Sequence, residues 1–239
     1  MIRSGNYERV KGSVDMPKRA IVFDLDGTLV DTAPDLHDTL NAVLGRCGRA
    51  GISLGEVRHM VGDGVRALLE RGFAASGGAP PADQFEAASA DFLLHYEANV
   101  SLHSRPFPAV IAMLQQLRQA GHAMAVCTNK PYRFSARLLA DLAMADYFGA
   151  VLGGDSLAVR KPHREHLLGT LAAIGAGPEN AVMVGDSAND VAAARNAGVP
   201  VILVSFGYTA TPARDLGGDL LIDSFDELPA ALARLEATR

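Results

Sequence analysis

Cysteine is scarce: Cys47 and Cys127 are the only two in 239 residues, and they lie far apart. That spacing argues against a disulfide framework or a thiolate metal site, so free thiols in a reducing compartment are expected. No apolar run approaches the roughly 18–20 residues of a membrane-spanning helix. The opening Met1-Ile2-Arg3-Ser4-Gly5-Asn6 lacks the apolar core of a secretory leader. A cytoplasmic location with no membrane partner follows as the expectation. Basic blocks are missing too: 22 Lys and Arg are scattered against 27 Asp and Glu, a formal net charge of −5, so no nucleic-acid partner is indicated. Nothing in the sequence sets an oligomeric state. What the chain has in quantity is apolar residues, 49%, enough for one large domain or two smaller ones.

The most informative stretch is Ala20-Ile21-Val22-Phe23 followed by Asp24-Leu25-Asp26-Gly27-Thr28. The apolar run reads as a buried strand, and polarity changes abruptly at Asp24. Gly27 marks a turn, so Asp24 and Asp26 can converge on one point. Two like charges held close are costly unless a positive group sits between them. Mg²⁺, a hard cation often bound by one or two carboxylates plus a substrate phosphate, meets that need. An ordinary surface turn is the plainer alternative.

Residues 1–18 are polar and aperiodic, an N-terminal extension from which little function is expected. Thr32 is positioned to cap a helix with Pro34 and Asp35 in its first turn, and Leu36, Leu40, Val43 and Leu44 mark one face. Val65, Leu68 and Leu69 begin another helix, Gly72 to Pro81 reads as a loop, and Ala82 to about Val100 is a third helical segment. Residues 33–103 therefore form a helical cap domain, inserted into a core made of 19–32 and 104–239. In that core, apolar strands at 123–127, 150–152, 181–184, 201–204 and near 219 alternate with amphipathic helices. The pattern predicts an α/β fold, a parallel Rossmann-like sheet with helices on both faces, whose ligand crevice lies outside the carboxyl ends of the strands.

Asp24, Asp26, Thr128, Asn129, Gly185 and Asp186 all follow predicted strands immediately, and Lys161 follows the weaker 150–152 strand by a loop. Acids, a hydroxyl and an ammonium at one edge suit phosphoryl transfer. Asp24 and Asp186 would hold Mg²⁺, while Thr128 and Lys161, with Asn129 beside them, would bind the phosphate. The turn at 26–28 offers backbone donors. No Gly-x-x-x-x-Gly-Lys-Ser/Thr loop is present to bind phosphate instead. Asp24 can attack phosphorus as a covalent nucleophile, and Asp26 can protonate the leaving oxygen and later activate water.

Asp24-Leu25-Asp26-Gly27-Thr28-Leu29-Val30-Asp31, Thr128-Asn129-Lys130-Pro131, Arg160-Lys161-Pro162 and Gly185-Asp186-Ser187-Ala188-Asn189-Asp190 together resemble the four motifs of the haloacid dehalogenase-like superfamily, in order. The resemblance implies Asp24 as nucleophile, Asp26 as acid/base and as metal ligand through its backbone carbonyl, and Thr128 with Lys161 as phosphate binders. It further implies Asp186 as metal ligand, Asp190 supporting the metal shell, and a helical insert similar to the small cap of the superfamily's first cap class.

Val61-Gly62-Asp63-Gly64, Gly153-Gly154-Asp155-Ser156-Leu157 and Phe206-Gly207-Tyr208 resemble the bacterial phosphoglycolate phosphatase family. That likeness implies a phosphoric monoester hydrolase acting on 2-phosphoglycolate. Related phosphatases act on pyrophosphate, sugar phosphates or nucleotides, and a β-phosphoglucomutase-like mutase could use the same acid pair. A hydrolytic dehalogenase has no use for the metal-phosphate set. Arg66 is a candidate specificity residue for the substrate carboxylate, weighed against a solvated helix charge. Asp31 reads as a loop-ordering group. His163 and His166 are not expected to bind metal, and His37, His59 and His95 are expected to be exposed or capping.

Overall fold

The computed structural model describes residues 18–237; the expected N-terminal extension, apart from Lys18, lies outside them. Among the described residues, six strands form one sheet: β1 (Ala20–Phe23), β4 (Ala123–Cys127), β5 (Ala150–Leu152), β6 (Ala181–Gly185), β7 (Val201–Val204) and β8 (Leu220–Ile222). Their order is β5-β4-β1-β6-β7-β8, and every pair is parallel. The order reverses on either side of β1, which puts the expected ligand crevice at its carboxyl end.

Side chains alternate across the sheet. Ile21, Phe23, Val126, Val184 and Ile202 pack on one side, against a cluster that includes Leu114 and Leu117 of α5 (Val110–Gln119) and Leu232 of α9 (Leu228–Ala237). Ala20, Val22, Met183 and Leu203 pack on the other, against Leu167 and Leu171 of α7 (Arg164–Ala173) and Val191 and Ala194 of α8 (Ala188–Ala197). Burying both faces explains why β1 is apolar throughout rather than alternating. A further helix, α6 (Tyr132–Asp141), follows β4.

Four helices, α1 (Ala33–Arg46), α2 (Leu54–Arg58), α3 (Val65–Ala75) and α4 (Ala82–Asn99), are inserted after the initial strands. The chain leaves and returns through a two-stranded antiparallel ribbon, β2 (Val30–Asp31) with β3 (Arg105–Pro106). These two-residue strands carry too little pattern to be read from sequence. Asp35 ties the exit to the return: its carboxylate accepts from the backbone N–H groups of His103 and Ser104, both at 2.8 Å, and from the Ser104 hydroxyl at 2.6 Å.

Two expectations for this region are corrected. Thr32 makes no side-chain cap on α1; its hydroxyl donates to Asp26 at 2.7 Å instead. The loop expected from Gly72 starts later, because α3 continues to Ala75. Gly72 is helical because α3 crosses α1 closely there: a Cβ on it would lie 2.8 Å from Leu40, and that contact outweighs the glycine's poor helix propensity of roughly 1 kcal/mol. Separately, α2 falls in a stretch that was given no element of its own within the expected helical insert, although Ser53 and Glu56 carry a legible capping box.

Candidate active site

The chain reverses as soon as it leaves β1. The backbone N–H groups of Leu29 and Val30 both donate to the Leu25 carbonyl at 3.0 Å. Gly27 takes φ +84°, and a Cβ there would meet the Asp186 carboxylate at 2.5 Å. This turn carries Asp24 and Thr28 toward Asp186, which stands directly after β6. The Thr28 hydroxyl donates to Asp186 at 3.0 Å, and the Tyr208 backbone N–H donates to its other oxygen at 2.7 Å.

Carboxylate oxygens of Asp24, Asp186 and Asp190 all lie within 4.8 Å of one another, and all three residues are buried. The Lys161 ammonium stands among them, 2.8 Å from Asp24 and 2.6 Å from Asp190. Three carboxylates against one ammonium leave a formal −2. Burial pushes the Asp24 carboxyl up to about 6 in spite of Lys161. Burial, with Asp24 and Asp190 nearby, pushes Asp186 well above the ordinary carboxylate range. An all-oxygen donor set with surplus buried negative charge fits a hard divalent cation. Asp190 is less available than its partners: one oxygen accepts from Lys161, and the other accepts from the backbone N–H groups of Asp186 and Ser187 and from the Ser187 hydroxyl.

Asp26 points to a second, adjacent arrangement. Its Oδ1 accepts from the Lys130 ammonium at 3.0 Å as well as from Thr32, and Lys130 also donates to the Tyr96 hydroxyl of α4 at 2.6 Å. Thr128 is buried with its hydroxyl accepting from the Lys130 backbone N–H at 3.2 Å. The Asn129 amide donates to the carbonyls of Gly62 and Lys161, both at 3.0 Å, while its Oδ1 is buried without a partner. Asp24, Asp26, Thr128, Asn129 and Lys130 line one pocket together with Gly62, Gly64, Val65 and Tyr96 of the inserted segment.

The inserted segment meets the core at this pocket. Beyond Asn129 and Gly62, the Asn189 amide donates to Asp63 at 2.6 Å, and Asp63 is paired with Arg71. Arg66 is not brought here. Its side chain is 63% exposed, with the guanidinium paired with Glu70 and Glu86 at 3.1 Å and stacked over Phe85, outside the residues that line the pocket. The solvated-charge alternative describes its surroundings.

Asp31 pairs with Arg58 at 2.8 Å and accepts from the Tyr208 hydroxyl, and it is not a member of the carboxylate cluster. His166 is buried between the Lys161 backbone N–H and the Gly153 carbonyl. His163 caps α7, and His59 is exposed. Sequence reasoning gave no role to Thr28, Lys130, Asn189 or Tyr208. All four lie inside stretches it had singled out, but only the folded chain shows their partners.

The sequence matches the model of haloacid dehalogenase-like hydrolases over residues 18–198. A phosphoglycolate phosphatase from Caulobacter vibrioides is 47% identical over 221 residues, 92% of this chain and 93% of that protein. One from Agrobacterium fabrum is 44% identical over 211 residues, 88% of this chain and 91% of that protein. Among solved structures, a predicted phosphoglycolate phosphatase from Haemophilus somnus is similar at a TM-score of 0.86 and 30% identity, over 92% of this chain and 99% of that one. With four motif stretches gathered at the carboxyl edge of a parallel sheet and a family match across most of its length, the chain belongs to the haloacid dehalogenase-like hydrolases.

Proposed function

We propose that this protein is a Mg²⁺-dependent phosphatase that hydrolyses 2-phosphoglycolate to glycolate and orthophosphate through an aspartyl-phosphate on Asp24. The observation that carries the reading is the buried Asp24, Asp186 and Asp190 cluster around Lys161, beside a second acid, Asp26, in the same pocket. The relatives named above support the choice of substrate.

In the first half-reaction an Asp24 carboxylate oxygen bonds to phosphorus as the bond from phosphorus to the glycolate oxygen breaks. Asp26 gives that oxygen its proton. In the second, Asp26 takes a proton from water, the water oxygen bonds to phosphorus, and the Asp24 oxygen leaves with both bonding electrons. Lys161, 2.8 Å from Asp24, and the Thr128 hydroxyl hold the phosphoryl oxygens in line, while the Asn129 amide, its donors taken by the Gly62 and Lys161 carbonyls, fixes the surrounding loops. Asp24, Asp186 and the Asp26 backbone carbonyl would hold Mg²⁺, which neutralises phosphoryl charge, with Asp190 fixing Lys161 and the turn at 186–187. The core of 19–32 and 104–239 carries the chemistry, and closure of the 33–103 cap excludes water.

Asp26→Asn keeps the nucleophile and removes the acid/base. Its turnover of 2-phosphoglycolate is expected to fall 10²–10⁴-fold or so, with a phosphoenzyme still trappable on Asp24. Turnover equal to the parent's would remove the acid/base role. The overall reading is tested by orthophosphate release from 2-phosphoglycolate beside pyrophosphate, hexose phosphates and nucleotides, with Mg²⁺ present. The highest kcat/KM is expected for 2-phosphoglycolate. A clear preference for another ester would replace the substrate and keep the mechanism, whereas an isomerised sugar phosphate in place of orthophosphate would mark a mutase.

A further inference from the structure

Lys130 is the one cationic side chain among the described residues lining the pocket that Asp24 and Asp26 share. It is fixed there: its side chain is 3% exposed, and Nζ lies 3.0 Å from Asp26 Oδ1, 2.6 Å from the Tyr96 hydroxyl and 4.6 Å from the Tyr96 ring centroid. An ammonium carries three donors. Asp26 and Tyr96 take two of them, which leaves a third for the pocket. The acid and the cation therefore stand side by side, a hydrogen bond apart. Gly64 and Val65, at the start of α3, line the same space. No side chain caps that helix end, so its first-turn N–H groups add positive potential.

We propose that Lys130 binds the carboxylate of the leaving group, so that the enzyme selects phosphoesters whose ester oxygen and carboxylate are separated by one methylene. The proposal rests on the phosphatase reading above and deepens it. A leaving group of this shape meets both neighbours at once: its ester oxygen takes the proton from Asp26 while its carboxylate accepts from the Lys130 ammonium. An ester with a neutral tail leaves that buried donor without an acceptor, which is the kind of loss that discriminates strongly. The same pairing explains why Arg66, turned outward among Glu70 and Glu86, is not needed for the task.

The test compares 2-phosphoglycolate with ethyl phosphate, which has a methyl in place of the carboxylate, in the parent, Lys130→Met, Lys130→Gln and Lys130→Arg proteins. Losing the charge untethers Asp26, so both esters slow. On 2-phosphoglycolate alone, kcat/KM is expected to fall a further 10- to 150-fold or so, the cost of one charged hydrogen bond. The parent's preference for the acid should therefore collapse in the Met and Gln proteins and return in part with Arg.

Lys130→Met leaves the half-buried Asp26 without its cation, with only Thr32 still donating to it, and threatens folding. Lys130→Gln can still donate to Asp26. The Asp26→Asn/Lys130→Met double variant buries no unpaired charge, and calorimetric binding of the same two esters reads its preference without turnover. If the parent prefers 2-phosphoglycolate and the Met and Gln variants keep that preference, the Lys130 assignment is overturned while the phosphatase reading stands. If the parent cleaves both esters equally well, the substrate assignment falls and the Lys130 role falls with it.

Discussion

Asp24→Asn is expected to lower kcat by on the order of 10⁴- to 10⁶-fold, the scale seen when a hydrolase loses its nucleophile or that nucleophile's partner. The change keeps side-chain volume and removes one anionic oxygen. Lys161 keeps Asp190 at 2.6 Å, so the cluster retains its cation and its shape. Because burial disfavours the charged Asp24, the neutral amide should leave metal-free thermal stability at neutral pH at or above the parent's. Activity and stability would then move apart, which loss of folding would not produce. Intact-protein mass measurement after brief exposure to substrate should show a phosphoryl adduct on the parent and none on the variant. An adduct recovered on any other residue would overturn the assignment.

Removing the divalent cation is expected to have the second large effect. Charge neutralisation by such an ion supplies several kcal/mol in the transition state, so chelation should cost on the order of a thousandfold or more in turnover, and Mg²⁺ should restore it. Asp186→Ala should weaken turnover and Mg²⁺ dependence together. Ca²⁺, with looser and longer coordination, should bind without supporting catalysis. Undiminished activity in exhaustively chelated protein would rule the metal out.

The same experiment has a stability readout. Burial pushes the Asp24 carboxyl up to about 6 in the fold against an ordinary 3.8, so the folded protein binds this proton more tightly than the unfolded chain. Metal-free stability therefore declines as pH rises from about 4 through 6, and Asp186, raised for similar reasons, extends the decline. His166 works the other way: burial holds it down to about 4 against an ordinary 6.5, so its contribution is lost as pH falls through that window. The two trends offset each other in a simple pH profile. His166 is common to both metal states, however, so the gain in Tm on adding Mg²⁺ isolates the carboxylates. That gain should grow between pH 5 and pH 7.5, and a gain that is constant or shrinks over this range would contradict the account.

Much of this was legible in the residues themselves. β1, β4 and β6 announce themselves because strands buried on both faces must be apolar throughout. The placement of Asp24, Thr128 and Asp186 follows from the rule that parallel sheets present their ligands at the carboxyl ends. The α2 capping box was equally readable, since its signal lies within four residues, Ser53 to Glu56. Gly72 looked like a loop because its reason for being glycine, the Leu40 contact, belongs to another helix.

The sequence by itself determined the parallel α/β core, the helical insertion and the set of acids at one edge, because these depend on local periodicity and on the chemistry of adjacent residues. The tertiary structure alone decided which cation serves which acid. Lys161 lies 137 positions from Asp24 and settles between it and Asp190, while Lys130 lies 104 positions from Asp26 and settles against it and Tyr96. Arg66, the charge that the sequence offered for the substrate, turns to two glutamates on its own surface. A buried charge must find its partner across the fold, because leaving it unpaired costs several kcal/mol. An exposed charge has no such constraint, and its spacing along the chain says little about where it points.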